Sequence, residues 1–178
     1  MRRITGLLAA LSLAFPAMAE PAQHSEEGVK AAFLFKFTHF VEWPAASFPD
    51  AAAPYVVGIL GKDPFGALLE ETLGGKKVNG RSFTVVRAES PEALKGCHVL
   101  YVSASEQGRR ADILRALKGT SSLVVGDSTG CAEAGASINF ILEDRRVRLE
   151  INPAAAARAG LKISSKLIQV CRVVGDRP

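Results

Sequence analysis

A chain of 178 residues, 48% hydrophobic and 22% charged, is one domain's worth of sequence and can bury a real core. Its formal charge is +4, of which Arg2 and Arg3 supply two, and its basic residues are scattered apart from Lys76-Lys77 and Arg145-Arg146. No basic stripe of the kind a nucleic-acid binder needs is present, so no nucleic-acid partner is expected.

The chain starts Met1-Arg2-Arg3, runs apolar from Ile4 to Phe15, and reaches Ala17-Met18-Ala19 after Pro16. A basic start, a short apolar run and an Ala-x-Ala end predict a secretory signal peptide over residues 1–19, leaving a single exported domain over 20–178. The apolar run is shorter than the roughly twenty residues of a membrane span. No cysteine sits at the cut to take a lipid, and no later segment reads as a span. The expected location is the bacterial periplasm.

Residues 25–44 form the most aromatic stretch. Ser25 is the expected N-cap, Glu26 and Glu27 suit the positive end of a helix, and Val29, Phe33, Phe37, Phe40 and Val41 mark one face at 3, 4 spacing. Leu34 and Ala31 widen that face, while Phe35 and Trp43 lie off its centre line. Pro44 is expected to end the helix. A helix this greasy is either sunk between layers or covered by another protein.

Tyr55 to Leu60 is a continuous apolar run, as in a strand covered on both faces. Asp63-Pro64 is expected to open a helix that carries Phe65, Leu68, Leu69 and Leu73 and stops at Gly74-Gly75. Asn79-Gly80 marks a tight turn before a strand over Phe83 to Arg87. A short helix opens at Ser90-Pro91, a third strand covers Cys97 to Val102, and Ser103 or Ser105 caps a helix burying Ile113, Leu114 and Leu117. Leu123 to Gly126 and Ser137 to Leu142 read as strands. Glu143 to Arg146 turns the chain into the alternating strand Val147 to Ile151. Asn152-Pro153 starts a helix that Gly160 interrupts, and Ser164 is expected to cap a last one burying Leu167, Ile168, Cys171 and Val174. Strands alternating with helices and closing on a hairpin predict an α/β three-layer sandwich. Its central sheet is mixed and partly parallel, with helices on both faces and a C-terminal hairpin plus helices.

Catalytic and metal patterns fail on inspection. His24, His39 and His98 share no metal-binding spacing. Gly61-Lys-Asp-Pro-Phe-Gly66 sits where phosphate loops occur, but it lacks the Gly-Lys-Ser/Thr ending and carries Asp63 near the phosphate position. Cys97 and His98 are neighbours in a strand and point to opposite faces, so they are not a dyad. Cys97, Cys131 and Cys171 permit one disulfide with a thiol left over, and their spacing is not a metal pattern. Neither a metal nor a cofactor is expected. One polar group stands out. Arg148, Glu150 and Asn152 share one parity along a strand, and Ser164, Ser165 and Lys166 start a helix with free N–H groups. They read either as a salt bridge with two helix caps or as a small polar ligand pocket.

The blocks Val29-Lys-Ala-Ala-Phe-Leu-Phe-Lys-Phe, Val41-Glu-Trp-Pro44, Gly61-Lys-Asp-Pro-Phe-Gly66, Gly75-Lys-Lys-Val, Cys97-His-Val-Leu-Tyr-Val-Ser103, Ile138-Asn-Phe, Val147-Arg-Leu-Glu-Ile-Asn152 and Ala159-Gly-Leu-Lys-Ile-Ser-Ser-Lys-Leu167 resemble the YfiR-like periplasmic proteins in residue and in order. The resemblance implies a non-enzymatic inhibitor of an inner-membrane diguanylate cyclase with a periplasmic sensor domain, keeping cyclic di-GMP and biofilm formation low. It also implies an outer-membrane lipoprotein that sequesters the inhibitor, and redox sensitivity through disulfides. Cys97 matches a family cysteine, but Tyr55 to Leu60, which should offer its partner, contains none. The expected contact with the cyclase or with a second copy is Phe40, Glu42, Trp43 and Pro44, with Phe40 and Trp43 as apolar anchors. The alternative is a periplasmic small-ligand sensor that uses Arg148, Glu150, Asn152, Ser164, Ser165 and Lys166.

Overall fold

Continuous apolar runs bounded by turns build the centre of the molecule. The computed structural model describes residues 25–176; the leader reading over residues 1–19 lies outside them. Strands β2 (Tyr55–Leu60), β3 (Phe83–Ala88), β4 (Val99–Val102), β5 (Leu123–Gly126) and β6 (Ile138–Glu143) run parallel. Strand β7 (Arg146–Ile151) returns antiparallel to β6, and β9 (Arg172–Val173) closes the edge parallel to β7. The seven-stranded order is β3-β2-β4-β5-β6-β7-β9. A separate two-stranded ribbon pairs β1 (Val41–Glu42) with β8 (Lys162–Ile163).

Helices α1 (Glu26–Phe40) and α2 (Ala67–Leu73), with the segments after β7, cover one face of the sheet. Leu34, Phe37, Leu69, Leu161 and Leu167 meet Val57, Ile59, Tyr101, Phe140 and Ile151 there. Helix α3 (Arg110–Ala116) and the 3-10 turn Pro91–Leu94 cover the other face through Ile113 and Leu94 against Leu60, Leu100 and Val102. The expected three-layer α/β arrangement with a mixed sheet and helices on both faces is what forms. The hairpin expected at residues 143–146 turns on Asp144 and Arg145 at φ 50° and 59°, the left-handed pair that matches strand twist.

Several local expectations are corrected. Pro44 does not end α1; Val41 already leaves the helix at φ −121° because it pairs with Ile163 across the ribbon. The buried line of α1 is Ala31, Leu34, Phe37, Thr38 and Val41, whereas Phe33 and Phe40 are half-buried. A helix apolar nearly all round leaves its neighbours to choose the line: Phe35 packs on Phe83 of the edge strand while Phe33 lies near Phe140. Asp63 does not cap α2. That helix starts at Ala67 after Gly66, at φ 52°, and the Asp63 carboxylate instead accepts from the Phe65 N–H and from Arg87. The last helix, α5 (Ser165–Ile168), is a single turn that stops before Cys171. The chain then becomes β9, because β7 still has an open edge and the Val174 N–H reaches the Ile151 carbonyl.

One charge fixes the position of α1. Lys30 is 7% exposed. Its Nζ donates to both Asp127 oxygens at 2.7 Å and pairs with Glu26 one turn earlier at 2.6 Å. Asp127 follows the carboxyl end of β5 and also accepts from the Tyr101 hydroxyl of β4 at 2.5 Å. Burial opposes charge on Lys30, but the bonds to Asp127 and Glu26 outweigh it and raise the amine's pKa. That contribution is complete below pH 10.5, the ordinary lysine value, and is lost only as the pH rises through the raised pKa. Removing one partner of such a pair strands the other, at a cost of about 3 kcal/mol. Lys30→Met is expected to lose about that much in urea unfolding at pH 7, with the unfolding slope unchanged.

Candidate partner-binding site

The ribbon joins residues that lie far apart in sequence. Val41 faces Ile163, Glu42 faces Lys162, and the Ser164 N–H donates to the Phe40 carbonyl at 2.8 Å. Phe40 therefore lies beside Ser164, and Glu42 beside Lys162 with Pro44 against Gly160; Ser165 and Lys166 continue from the Phe40 end of the ribbon. Glu42, Lys162, Ser165 and Lys166 are exposed; Phe40, Trp43, Pro44 and Ile163 are half-buried. Gly160, at φ 74°, lets the chain turn against Pro44: a Cβ there would stand 3.4 Å from the proline ring. The outcome is a short two-stranded rim with a half-buried apolar base and charged tips of both signs.

Beneath the rim, Trp43 is tied into the protein. Its indole N–H donates to the His98 carbonyl at 3.1 Å, and its ring meets Tyr55 edge-on at 5.5 Å. His98 is the hub of this end of the sheet. Its Nδ1 accepts from the Val56 N–H at 3.0 Å, so the proton sits on Nε2, which donates to the Ser47 carbonyl at 3.0 Å. Phe48 stacks on the imidazole at 4.2 Å, and the Arg81 guanidinium lies 3.9 Å from the Phe48 ring centre while donating to the Asp50 and Ala53 carbonyls. The loop after the rim is thus held by one neutral histidine, one aromatic stack and one arginine.

The second group of candidate residues is split. Ser164 bonds the Lys166 N–H as an N-cap, and Ser165 and Lys166 point into solvent on the rim. Arg148, Glu150 and Asn152 lie on the far side of the sheet. Arg148 is exposed, Glu150 accepts from the buried Asn139 amide at 2.9 Å, and Asn152 is fully buried and caps α4 (Pro153–Arg158) through the Ala155 N–H. Among the described residues no hydrogen bond or ion pair joins the two halves. They are not one pocket, because β7 turns its Arg148, Glu150 and Asn152 parity away from the α1 face on which Leu149 and Ile151 pack.

The carboxyl ends of the parallel strands are where doubly wound sheets usually receive ligands, above all where strand order reverses, here between β2 and β4. That crevice is filled from within. A Cβ at Gly61 would fall 2.3 Å from the carboxylate of Glu106, which accepts from Ser105 and pairs with Arg109. The Lys62 N–H is taken by Ser105 Oγ, and Asp63 pairs with Arg87. The glycine loop is a turn packed on an acid, which repels phosphate.

All three cysteines are free thiols. Burial pushes the Cys97 and Cys171 thiols up to about 11 and raises Cys131 as well, so none is an activated nucleophile. Cys97 and His98 face opposite sides, as expected: Cys97 packs with Leu100 and Leu94, and His98 with Trp43 and Phe48. The Cys97 side chain lies over Gly58 of β2, which pairs with Leu100, and an added Cβ there would lie 2.6 Å from the Cys97 sulfur and 3.2 Å from its Cβ.

The family model described as YfiR/HmsC-like matches residues 27–172, which includes the rim, the sheet and β9's first residue. The chain belongs to the YfiR/HmsC-like family. That places it in a family of regulatory domains rather than in a known enzyme family. No curated protein matches it. Among solved structures, a conserved domain protein from Vibrio cholerae O1 biovar El Tor is similar at TM-score 0.54 and 14% identity, over 67% of this chain and 54% of that one. An ABC domain from Streptococcus pneumoniae, solved in complex with L-Trp, is similar at TM-score 0.52 and 10% identity, over 67% of this chain and 55% of that one. The chain thus spans about half the length of these structures, and at such identities the likeness is one of fold. No described helix is long and apolar enough to cross a membrane.

Tyr101, Asp127, Lys30 and His98 were missed as site-shaping residues by the pattern reading. The one local signal was the Glu26–Lys30 spacing of four; the other partners are distant in sequence. Burial, with Arg81 nearby and despite the Ser47 bond, lowers the His98 pKa below 6.5. Its neutral form stabilises the fold fully above pH 6.5, and that contribution is lost as the pH falls through the lowered pKa. Melting temperature should therefore drop more steeply from pH 7 to pH 5 in the wild type than in His98→Asn, whose amide oxygen can still accept from Val56. Gly58→Cys should close a disulfide with Cys97 as the Cys97 sulfur, 2.6 Å from an added Cβ, rotates and Leu100 Cδ1, at 3.0 Å, gives way, which lets the 3.2 Å Cβ separation open to the usual range of roughly 3.5–4.5 Å. Thiol titration of the oxidised, denatured variant should find Cys131 and Cys171 alone.

Proposed function

We propose that this YfiR/HmsC-like protein is a periplasmic, non-enzymatic regulator that binds the periplasmic sensor domain of an inner-membrane diguanylate cyclase and holds it inactive, lowering cyclic di-GMP and biofilm formation. The observation that carries the reading is the family match over residues 27–172. The geometry supports it. The rim made by Phe40, Glu42, Trp43 and Pro44 with Lys162, Ser165 and Lys166 offers an apolar base flanked by charge, and Trp43 and His98 hold it rigid from below. A rigid rim loses little entropy on docking.

Inhibition needs no chemistry. The regulator has only to prefer the inactive state of its partner, and a coupling of about 1–3 kcal/mol changes activity several-fold to about a hundredfold. In this reading an outer-membrane lipoprotein competes for the regulator, and a second copy can pair through the same rim. Because Trp43 is tied to His98, its aromatic ring supports the site more than it projects from it, and Glu42 and Lys166 become the outward discriminators.

The test is a pull-down from detergent-solubilised membranes using residues 20–178. The wild type should capture a GGDEF-type cyclase. Glu42→Lys combined with Lys166→Glu should weaken capture about tenfold, or about 1.4 kcal/mol, at unchanged melting temperature. Trp43→Ala should lower the melting temperature as well as capture. A folded wild type that captures no cyclase overturns the reading.

A further inference from the structure

A cleft of about 740 Å³ opens between α3 on one face of the sheet and α4, which packs with the α1 layer. Leu114, Leu117, Val124 and Ala155 form its apolar wall, and Lys118 and Glu133 stand at its polar margin. The volume falls in the range of small-molecule sites, roughly 300–1,000 Å³.

At its edge sits a carboxylate supplied by the chain itself. Asp176 Oδ2 accepts from Arg158 Nη1 at 2.7 Å, and Oδ1 accepts from Arg158 Nη2 at 2.9 Å and from Asn152 Nδ2 at 2.8 Å. This is the planar fork of an arginine completed by an amide N–H, the geometry that recognises a carboxylate. Asn152 is held in this orientation without help from Asp176. It is fully buried, its Oδ1 accepts from the Ala155 N–H at 3.0 Å, and its Nδ2 also donates to the Ala132 carbonyl at 2.9 Å. Arg158 is the last residue of α4, and both Arg158 and Asp176 line the cleft. The Asp176 side chain is 44% exposed, so the group now in the cradle is within reach of solvent and exchangeable.

We propose that the α3–α4 cleft binds small carboxylates with a compact apolar body. Arg158 and Asn152 hold the carboxylate, the Leu114–Leu117–Val124 wall holds the body, and Asp176 is an internal stand-in that the ligand displaces. The proposal is independent of partner capture by the rim. Of the residues read from sequence as a ligand pocket, Asn152 alone belongs to this site. As a tethered competitor, Asp176 should make the wild type a weak binder, because the ligand must outcompete a group at high effective concentration.

The experiment is titration calorimetry of the purified full chain with 4-methylpentanoate, with 4-methylpentanamide as the uncharged control. Asp176→Ala should bind the acid at least about tenfold more tightly than the wild type. The amide should not bind, and Arg158→Gln added to Asp176→Ala should abolish binding. If Asp176→Ala lowers the melting temperature enough to populate unfolded protein, Asp176→Asn keeps an acceptor on the cradle and serves as the second variant. The Asn152 side-chain amide resonance then reports occupancy directly, and it should shift on adding the acid. A folded Asp176 variant that binds neither more tightly nor at the Asn152 amide overturns the proposal and leaves Arg158–Asp176 a surface staple. Equal binding of acid and amide overturns it as well.

Discussion

The buried pair of Lys30 with Asp127 is the constraint on which the rest of the molecule depends. A lysine amine among apolar residues is tolerated only where an anion meets it, and the anion here is fixed at the carboxyl end of β5 and steadied by Tyr101. This pins the start of α1 over the sheet's carboxyl edge. Fifteen residues then carry the helix about 22 Å toward the opposite edge, where Val41 and Glu42 leave it to pair with Lys162 and Ile163. The rim is therefore placed by a charge pair at the other end of its own helix, with Leu34 and Phe37 filling the path between them.

The two ends of the sheet are put to different uses. The carboxyl end, where folds of this kind usually receive ligands, is filled by Glu106 against Gly61, by the Asp63–Arg87 pair and by Asp127 with Tyr101. Charge and volume there are satisfied within the chain. The amino end carries the aromatic hub of Trp43, Phe48, Tyr55 and His98 and, above it, an exposed ribbon with tips of both signs. An end that is rigid beneath and polar outside suits recognition by another protein more than it suits turnover of a small molecule. The cleft beside α4 is a third region, and Ala159 in its wall adjoins Gly160, which packs on Pro44 of the rim.

Much of the scaffold is legible in the sequence. Val57, Ile59, Val99, Tyr101, Leu123 and Val125 sit in short apolar runs that have no use except as covered parallel strands, and Asn79-Gly80 and Asp144-Arg145 stand where the chain must reverse. Ser25, Ser103, Asn152 and Ser164 read as caps because a cap is a local bond, made within three residues of itself. Helix ends were less legible wherever pairing with a distant strand competed with the local pattern. Val41 and Glu42 continue a helical period yet become a strand, and Cys171 to Val174 continue another yet form the sheet's last edge.

The sequence alone determined the fold class, the hairpin and the caps at Ser25, Ser103, Asn152 and Ser164, since each rests on contacts between near neighbours or on the pattern of apolar runs. Tertiary structure alone decided the sites. It brought Ser164 to Phe40, set Lys30 against Asp127, turned Arg148, Glu150 and Asn152 away from Lys166, and closed Asp176 onto Arg158. These residues are brought together by the order in which strands enter the sheet, and that order is settled by the burial of whole layers, which no local spacing records.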